Sequence, residues 1–356
     1  MDTASLIPAP DIIPVHWAWL KVLLITTFTA HILLMNIMLG SAIIAFISSI
    51  NRQSDSSLVY LQKEISQKNT FIIAFTINFG VAPLLFLQVL YGNFFYTSSI
   101  LMAVYWLSVV FLLITAYYAA YIYKFNFDRL ILTRKYAAGL SALLLLVTGF
   151  FFTNNMTLML VPDTWTRYFT NPSGTLLNLS DPTLFPRFFH YVAASIAVSG
   201  LYIAITWERK KKNGVSHSDI NITRGMKYFI YATLVQFCVG IWFLISLPRD
   251  VMLLFLGGDM VHSAVFLAGI FAGIAALVFG FIKKVWPAVW ATITSIIFMV
   301  LVRDMVRTAY LKPYFAVEKL KTIYQYSPMI MFLAALTVAT VIIIYIIRCA
   351  LQIKPS

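Results

Sequence analysis

Charged residues are scarce in this sequence of 356 residues, and their scarcity excludes a soluble globular protein. Asp, Glu, Lys and Arg together make up 11% of the chain, and hydrophobic residues make up 61%. Soluble domains carry about 25% charged and about 45–50% apolar residues. The formal net charge of +13 can therefore be interpreted only after the apolar runs have been placed.

Cysteine is nearly absent, and this excludes two kinds of site. The chain has two cysteines, Cys238 and Cys349, which are far apart and each lie in an apolar run. A disulfide framework needs several cysteines, and covalent haem attachment needs a CxxCH motif. We expect neither, and the redox compartment cannot be read from cysteine.

The first 15 residues contain no Lys or Arg. A cleaved signal peptide begins with a basic segment, so we expect the first apolar run to be retained as a membrane span.

Long apolar runs occur nine times along the chain. About 20 consecutive apolar residues suffice for a helix to cross a membrane, and in lipid only helices and closed barrels satisfy their backbone groups. We therefore predict an all-α integral membrane protein with nine transmembrane helices. The predicted spans are residues 16–48, 70–95, 100–123, 136–157, 187–207, 226–247, 260–282, 286–303 and 327–348.

Basic residues are distributed unequally between the two sides of these spans. With the N-terminus outside, seventeen of the 26 Lys and Arg residues fall inside, eight fall outside, and Lys21 lies in the first span. The positive-inside rule thus predicts an outer N-terminus and an inner C-terminus. The net positive charge therefore reflects the orientation of the chain in the membrane. We expect no nucleic-acid partner. The inner basic residues are Arg52, Lys63, Lys68, Lys124, Arg129, Arg134, Lys135, Arg209, Lys210, Lys211, Lys212, Arg224, Lys227, Lys283, Lys284, Arg348 and Lys354.

Besides His16 at the outer mouth of the first span, three histidines lie in the predicted spans, which contain no Asp or Glu. His31 is in the middle of the first span, His190 in the first turn of the fifth, and His262 at the start of the seventh. Ionisable residues inside a membrane are functional candidates. Histidine is a common axial ligand of haem iron, whereas proton relays usually need a carboxylate. The pattern favours haem b, although each imidazole could instead only hydrogen-bond a neighbouring helix.

The predicted depth of the histidines suggests how many haem groups the chain binds. His190 and His262 both fall near the outer surface, where they could face each other across one haem, and His31 suggests a second. Weaker axial candidates are Met260 and His16. The polar groups expected to contact a haem propionate or a quinone are Arg187, three residues before His190, and Arg249 and Asp259.

Three segments of the sequence resemble one family. They are HILLMNIMLGSAIIAFI in the first span, INFGVAPLLFLQVLYGNFF in the second and DPTLFPRFFHYVAASIAVSGLYI in the fifth. These segments are similar to subunit I of cytochrome bd-type quinol oxidases, which also has nine spans and an outer N-terminus. The resemblance implies that His31 ligates a haem of the oxygen-reducing pair. It also implies that His190, with His262 or Met260, holds the low-spin haem b that takes electrons from quinol.

The sequence lacks residues on which the family's oxygen reduction depends. The family's glutamates of the third and ninth spans have no counterpart here, and its long outer quinol loop between spans six and seven is reduced to about LPRDVMLLFLGGD. Because oxygen reduction consumes protons, the resemblance implies a relative that lacks these parts and does not reduce oxygen. Such a protein would be a membrane cytochrome b that passes electrons between the quinone pool and a periplasmic acceptor, such as a c-type cytochrome docked on residues 158–186 and 304–326.

The resemblance also implies an architecture and a location. We expect two four-helix bundles plus one C-terminal helix in a bacterial inner membrane, with a second membrane subunit or a second copy as partner. The expected segments are 1–15 (outer), 16–157 (first bundle), 158–186 (outer loop), 187–303 (second bundle), 304–326 (outer loop) and 327–356 (ninth helix and inner tail). Two alternatives stay open: a functional bd-type oxidase subunit with rearranged ligands, and a transporter or structural subunit without haem.

Overall fold

The computed structural model describes residues 3–50 and 55–352. Within this part, nine helices are long and apolar enough to cross a membrane, as the sequence predicts. The chain is a multi-pass membrane protein, and many of its large apolar side chains are exposed to contact lipid. Arg52 and Lys354 lie outside the described residues.

Most helices follow one another with short connections, and two longer segments, residues 161–183 and 312–326, precede the helices that begin at Leu184 and Ser327. The helices are α1 (Trp17–Ile50), α2 (Ser56–Leu101), α3 (Ala103–Phe125), α4 (Arg134–Leu160), α5 (Leu184–Lys212), α6 (Ser218–Ile245), the short α7 (Arg249–Leu253), α8 (Met260–Phe281), α9 (Val285–Leu311) and α10 (Ser327–Gln352). A π-helical turn, Leu254–Gly258, follows α7, and a 3₁₀ helix, Pro162–Phe169, follows α4. The described residues contain no β-strand beyond an isolated bridge between Ile13 and Thr322.

Helix α2 begins well before the predicted span at residue 70. The Asp55 side chain caps it by accepting a hydrogen bond from Ser57 N at 2.9 Å. Leu58, Leu61 and Ile65 of its first turns are buried, and this spacing of three to four residues places them on one helix face. The segment is helical because it is amphipathic, although it is too polar to be recognised as a membrane span.

Helix α9 continues past residue 303, where the sequence predicts that the eighth span ends. It runs to Leu311, so the following segment begins at residue 312 rather than 304. Asp304 consequently lies inside α9 and is only 5% exposed. The end of the eighth predicted span therefore adjoins a buried carboxylate, which the sequence did not indicate.

Small side chains bring α5 against two other helices. Helix α1 packs against α2, α4 and α5, while α5 also packs against α6. A Cβ on Gly40 of α1 would overlap the Ser195 carbonyl of α5. At the other crossing, a Cβ on Gly200 would lie 2.6 Å from the Gly225 carbonyl oxygen of α6. Glycine and serine allow such close approach of helices in membranes.

The connections gather on two faces of the molecule. We call the face that carries the N-terminal segment the N-terminal face. There, Ile13 N donates to Lys321 O at 2.9 Å, and the Tyr314 hydroxyl donates to Asp163 at 3.3 Å. The 3₁₀ helix and residues 312–326 therefore share this face with residues 3–16.

Ion pairs join the connections on the opposite face. Arg224 of α6 pairs with Asp55 at 2.9 Å, and Lys63 of α2 pairs with Asp128 at 2.8 Å. Lys210 at the end of α5 pairs with Glu64. Helix α10, by contrast, lies at the edge of the protein, where its Phe332 ring contacts the Phe86 ring of α2 at 5.0 Å between centroids.

Candidate functional site

His31 lies between α1 and α2. Its Nδ1 is 3.1 Å from the carbonyl oxygen of Thr76, and one turn further along α2 a Cβ on Gly80 would come within 2.9 Å of the His31 ring. A backbone carbonyl that accepts from Nδ1 fixes the tautomer and leaves Nε2 as the lone-pair nitrogen. Gly80 allows the ring to pack directly against α2. This geometry suits an axial ligand.

His190 lies between α5 and α6, in the second turn of α5 rather than the first. Its Nε2 is 2.7 Å from Nε2 of the Gln236 side chain. Its Nδ1 is buried and has no hydrogen-bond partner in the described part of the chain. One turn along α6 from Gln236, a Cβ on Gly240 would lie 3.3 Å from the imidazole. Ligation through Nε2 would require Gln236 to rotate away.

His262 starts α8 and is oriented by Asp259. The Asp259 carboxylate accepts from His262 N at 2.9 Å as the helix cap and contacts His262 Nδ1 at 2.6 Å. The imidazole also packs edge-on against Phe255, at 5.3 Å between centroids. A carboxylate on one ring nitrogen leaves the other as the basic, ligating nitrogen. In this structure Asp259 thus orients the His262 imidazole, and it would influence a ligand only through that ring.

The three weaker candidates lie at the surface. Met260 is 88% exposed, so the structure favours His262 over Met260 as the ligand on this turn. His16 is exposed, and its Nδ1 accepts from Ala18 N at 3.3 Å at the start of α1. Arg249, the first residue of α7, is also exposed.

Three arginines form what we call the arginine cluster: the half-buried Arg187 of α5 and Arg303 of α9, and the buried Arg307 of α9. Arg187 and Arg307 are both close enough to Arg303 for their positive charges to repel its charge. Each guanidinium group covers an aromatic ring at 4.3–4.9 Å from the centroid, an arrangement that stabilises a cation. Nε and Nη2 of Arg187 and Nη1 of Arg307 are nevertheless buried without a hydrogen-bond partner among the described residues.

The arginine cluster contacts one buried ion pair. Lys21 Nζ of α1 is 3.1 Å from Asp304 Oδ2, and Arg307 Nη2 is 3.7 Å from Asp304 Oδ1. Asp181, three residues before the start of α5, is close enough to Arg187 to attract its charge. Cations therefore outnumber carboxylates in this buried region.

The arginine cluster connects two of the three histidines. Arg187 is one turn before His190 on α5. Arg303 covers the Phe28 ring, whose centroid is 6.4 Å from that of His31. The described contacts of His190 are with α6, and those of His262 stay within residues 255–262. No described contact joins His190 to His262, so their shared haem stays a prediction.

Sequence reasoning missed Arg303, Arg307, Asp304 and Gln236 as members of this region. A signal for the first three was present in Lys21, a lone cation inside the first span, because a buried ammonium group needs an acidic partner. No local signal indicated Gln236, whose position depends on how α5 and α6 cross. Among residues 3–50 and 55–352, no group of three or more His, Cys, Asp and Glu side chains is placed to hold a metal ion.

The Asp259–His262 contact predicts a pH-dependent stability. The hydrogen bond from the His262 backbone, followed by that from its ring, holds the pKa of the Asp259 carboxyl below its ordinary value. Because the folded-state pKa is lowered, the stabilisation is present above the ordinary carboxyl pKa of about 3.9 and is lost as the pH falls through the lower value. We expect Asp259→Asn to lower the thermal unfolding temperature at neutral pH, and the difference from the native protein to vanish in strong acid.

The control is Asp250→Asn, which removes an exposed carboxylate from α7. It should change the unfolding temperature little across the same pH series. A difference between Asp259→Asn and the native protein that is independent of pH would contradict the prediction.

Comparisons of the chain with known protein families and with curated protein sequences find no match.

Proposed function

We propose that the chain is a membrane cytochrome b subunit that transfers electrons between the quinone pool and a periplasmic acceptor such as a c-type cytochrome. It is a distant, reduced relative of subunit I of the bd-type quinol oxidases. In this proposal His31 and His190 are axial ligands of one or two haem b groups, and His262 supplies a further imidazole. The protein works in a bacterial inner membrane, with a second membrane subunit or a second copy of itself.

The observation that carries the proposal is the arginine cluster between His31 and His190. Buried guanidinium groups without partners are costly, and here three cations of the cluster and Lys21 face few carboxylates. A ligand that brings anionic groups would offset this cost. Haem b carries two propionates, and arginine binds carboxylates in a bidentate manner.

The residues present fit haem in two respects. His31 and His190 each lie between two helices, where the imidazole packs directly against Gly80 or Gly240 of the neighbouring helix. The unpartnered nitrogen atoms of Arg187 lie one turn from His190. When bound, haem iron supplies one-electron chemistry. The chain's own part is to donate imidazole nitrogens, to pair the propionates and to exclude water.

The proposed topology places the N-terminus outside and the C-terminus inside, as two four-helix bundles followed by α10. The basic end of α5, which includes Arg209 and Lys210, then lies on the inner side. The N-terminal face is the outer face, and the 3₁₀ helix Pro162–Phe169 and residues 312–326 are available there for a periplasmic partner. His190 is closer to that face than His31, being six residues from the start of α5 compared with fourteen from the start of α1.

Two observations favour the alternatives. Asp304 is a buried carboxylate in α9, and this favours a functional bd-type oxidase more than the sequence does. It is, however, already paired with Lys21. The His190–Gln236 hydrogen bond is what a subunit without haem would use to join α5 and α6.

A visible spectrum of the purified protein tests the proposal. We expect a haem b band in the difference between the reduced and oxidised states, and reduction of that haem by a quinol. Oxygen consumption with the quinol as donor should be absent. The absence of a haem band would refute both the proposal and the oxidase alternative, whereas steady oxygen consumption would favour the oxidase.

A further inference from the structure

A long apolar groove runs along the outside of α5 and α6. Its volume is about 660 Å³, and its walls are almost wholly aliphatic and aromatic. At one end Phe189 and Trp242 stack, with 6.3 Å between ring centroids. The other end reaches Arg224 and Lys227 of α6.

A second, more polar pocket adjoins the basic end of the groove. Its volume is about 370 Å³, and it shares Arg224 and Lys227 with the groove. Asp219 and Thr223 also line it. The two cavities therefore meet at Arg224 and Lys227, with an apolar part on one side and a polar part on the other.

The polar part contains a positive charge that is not paired within the described part of the chain. The Arg224 guanidinium group is 2.9 Å from Asp55 and 2.6 Å from the Asn221 side-chain oxygen, and Asp219 is 2.6 Å from Lys211. Both acidic groups are therefore already neutralised. Lys227 is exposed and has no ion pair or hydrogen bond in the described part of the chain. A headgroup with a net negative charge fits here better than a zwitterionic one.

The groove is long enough for an acyl chain. Lys227 and Trp242 are fifteen residues apart on α6, which corresponds to about 22 Å along a helix, and the part from Lys227 to Val235 corresponds to about 12 Å. One leaflet of the hydrocarbon core is about 15 Å thick. A chain attached to a phosphate at Lys227 would thus pass Tyr231 and Val235 within one leaflet.

We propose that this site binds an anionic glycerophospholipid of the phosphatidylglycerol type. Its phosphate pairs with Lys227 beside the Arg224 guanidinium group, and the Thr223 hydroxyl lies within the headgroup pocket. One acyl chain occupies the groove between α5 and α6. The site is separate from the histidines and does not depend on the haem proposal.

Native mass spectrometry of the full chain tests this site, with dioleoyl phosphatidylglycerol and dioleoyl phosphatidylcholine as probes. We expect the native protein to retain phosphatidylglycerol in preference to phosphatidylcholine. Lys227→Gln should weaken phosphatidylglycerol binding about fivefold, the effect of one basic residue near a membrane surface. Val235→Trp should displace both lipids from the site because its exposed side chain would fill the groove.

The matched control is Lys212→Gln, which removes an equal charge from the exposed end of α5, outside both cavities. It should leave binding unchanged. Equal weakening by Lys212→Gln and Lys227→Gln would overturn the proposal in favour of general surface charge. Equal retention of the two lipids by the native protein, or no effect of Val235→Trp, would also overturn it.

Discussion

In the proposed cytochrome, replacement of His190 by alanine is expected to abolish the low-spin haem b band. His190 is the imidazole closest to the unpartnered Arg187 guanidinium group along α5, and haem b is held by its axial ligands rather than by covalent bonds to the porphyrin. The measurement is the difference spectrum between reduced and oxidised protein, with the haem content measured per chain.

Two variants make this test specific. His217→Ala removes a histidine that only stacks on Tyr60, at 5.5 Å between centroids, and should leave the spectrum unchanged. Gln236→Leu removes the side chain that contacts His190 Nε2 at 2.7 Å. If His190 binds iron, Gln236→Leu should retain the haem. An unchanged spectrum of His190→Ala would show that another residue is the ligand.

Replacement of Asp304 by asparagine is expected to destabilise the protein by about 3–5 kcal/mol, the usual cost of removing one partner of a buried ion pair. Lys21 Nζ lies 3.1 Å from the Asp304 carboxylate, whose side chain is 7% exposed. Without the carboxylate, the half-buried Lys21 and the buried Arg307 would have no negative charge between them. The measurement is the thermal unfolding temperature of the protein in detergent.

The chain offers a matched control for this ion pair. Lys63 and Asp128 are 2.8 Å apart, but their side chains are 43% and 74% exposed. Exposed pairs contribute about 0–1 kcal/mol, so Asp128→Asn should have a small effect. The double variant Lys21→Met with Asp304→Leu should recover part of the lost stability. Equal effects of Asp304→Asn and Asp128→Asn would contradict the prediction.

The membrane spans could be predicted because hydropathy depends on local composition alone. All nine predicted spans correspond to helices in the part of the chain that the structure describes. The ends were less accurate where polar residues continue a helix. Arg303, Asp304 and Arg307 suggested the end of a span, but within the protein Lys21 pairs with Asp304, and aromatic rings of other helices cover the two arginines.

The candidate site could be predicted only as a set of residue types. The sequence indicated His31, His190, His262 and Arg187, and the structure gives each a distinct environment. Their neighbours could not be predicted, since Thr76, Gly80 and Gln236 meet the histidines only through the crossing of helices. The arginine cluster likewise combines α5 with α9, which are more than a hundred residues apart at Arg187 and Arg303.

The close crossing of α1 and α5 at Gly40 and Ser195 also fixes the distance between His31 and His190. The Ser199 hydroxyl donates to the carbonyl oxygens of Asn36 and Ile37, so these helices cannot slide along each other without breaking hydrogen bonds. His31 and His190 are attached to the same two helices. In the proposed cytochrome, the rate of electron tunnelling between two haem groups falls steeply with their separation, and that separation would be fixed by a glycine and two serines that touch neither group.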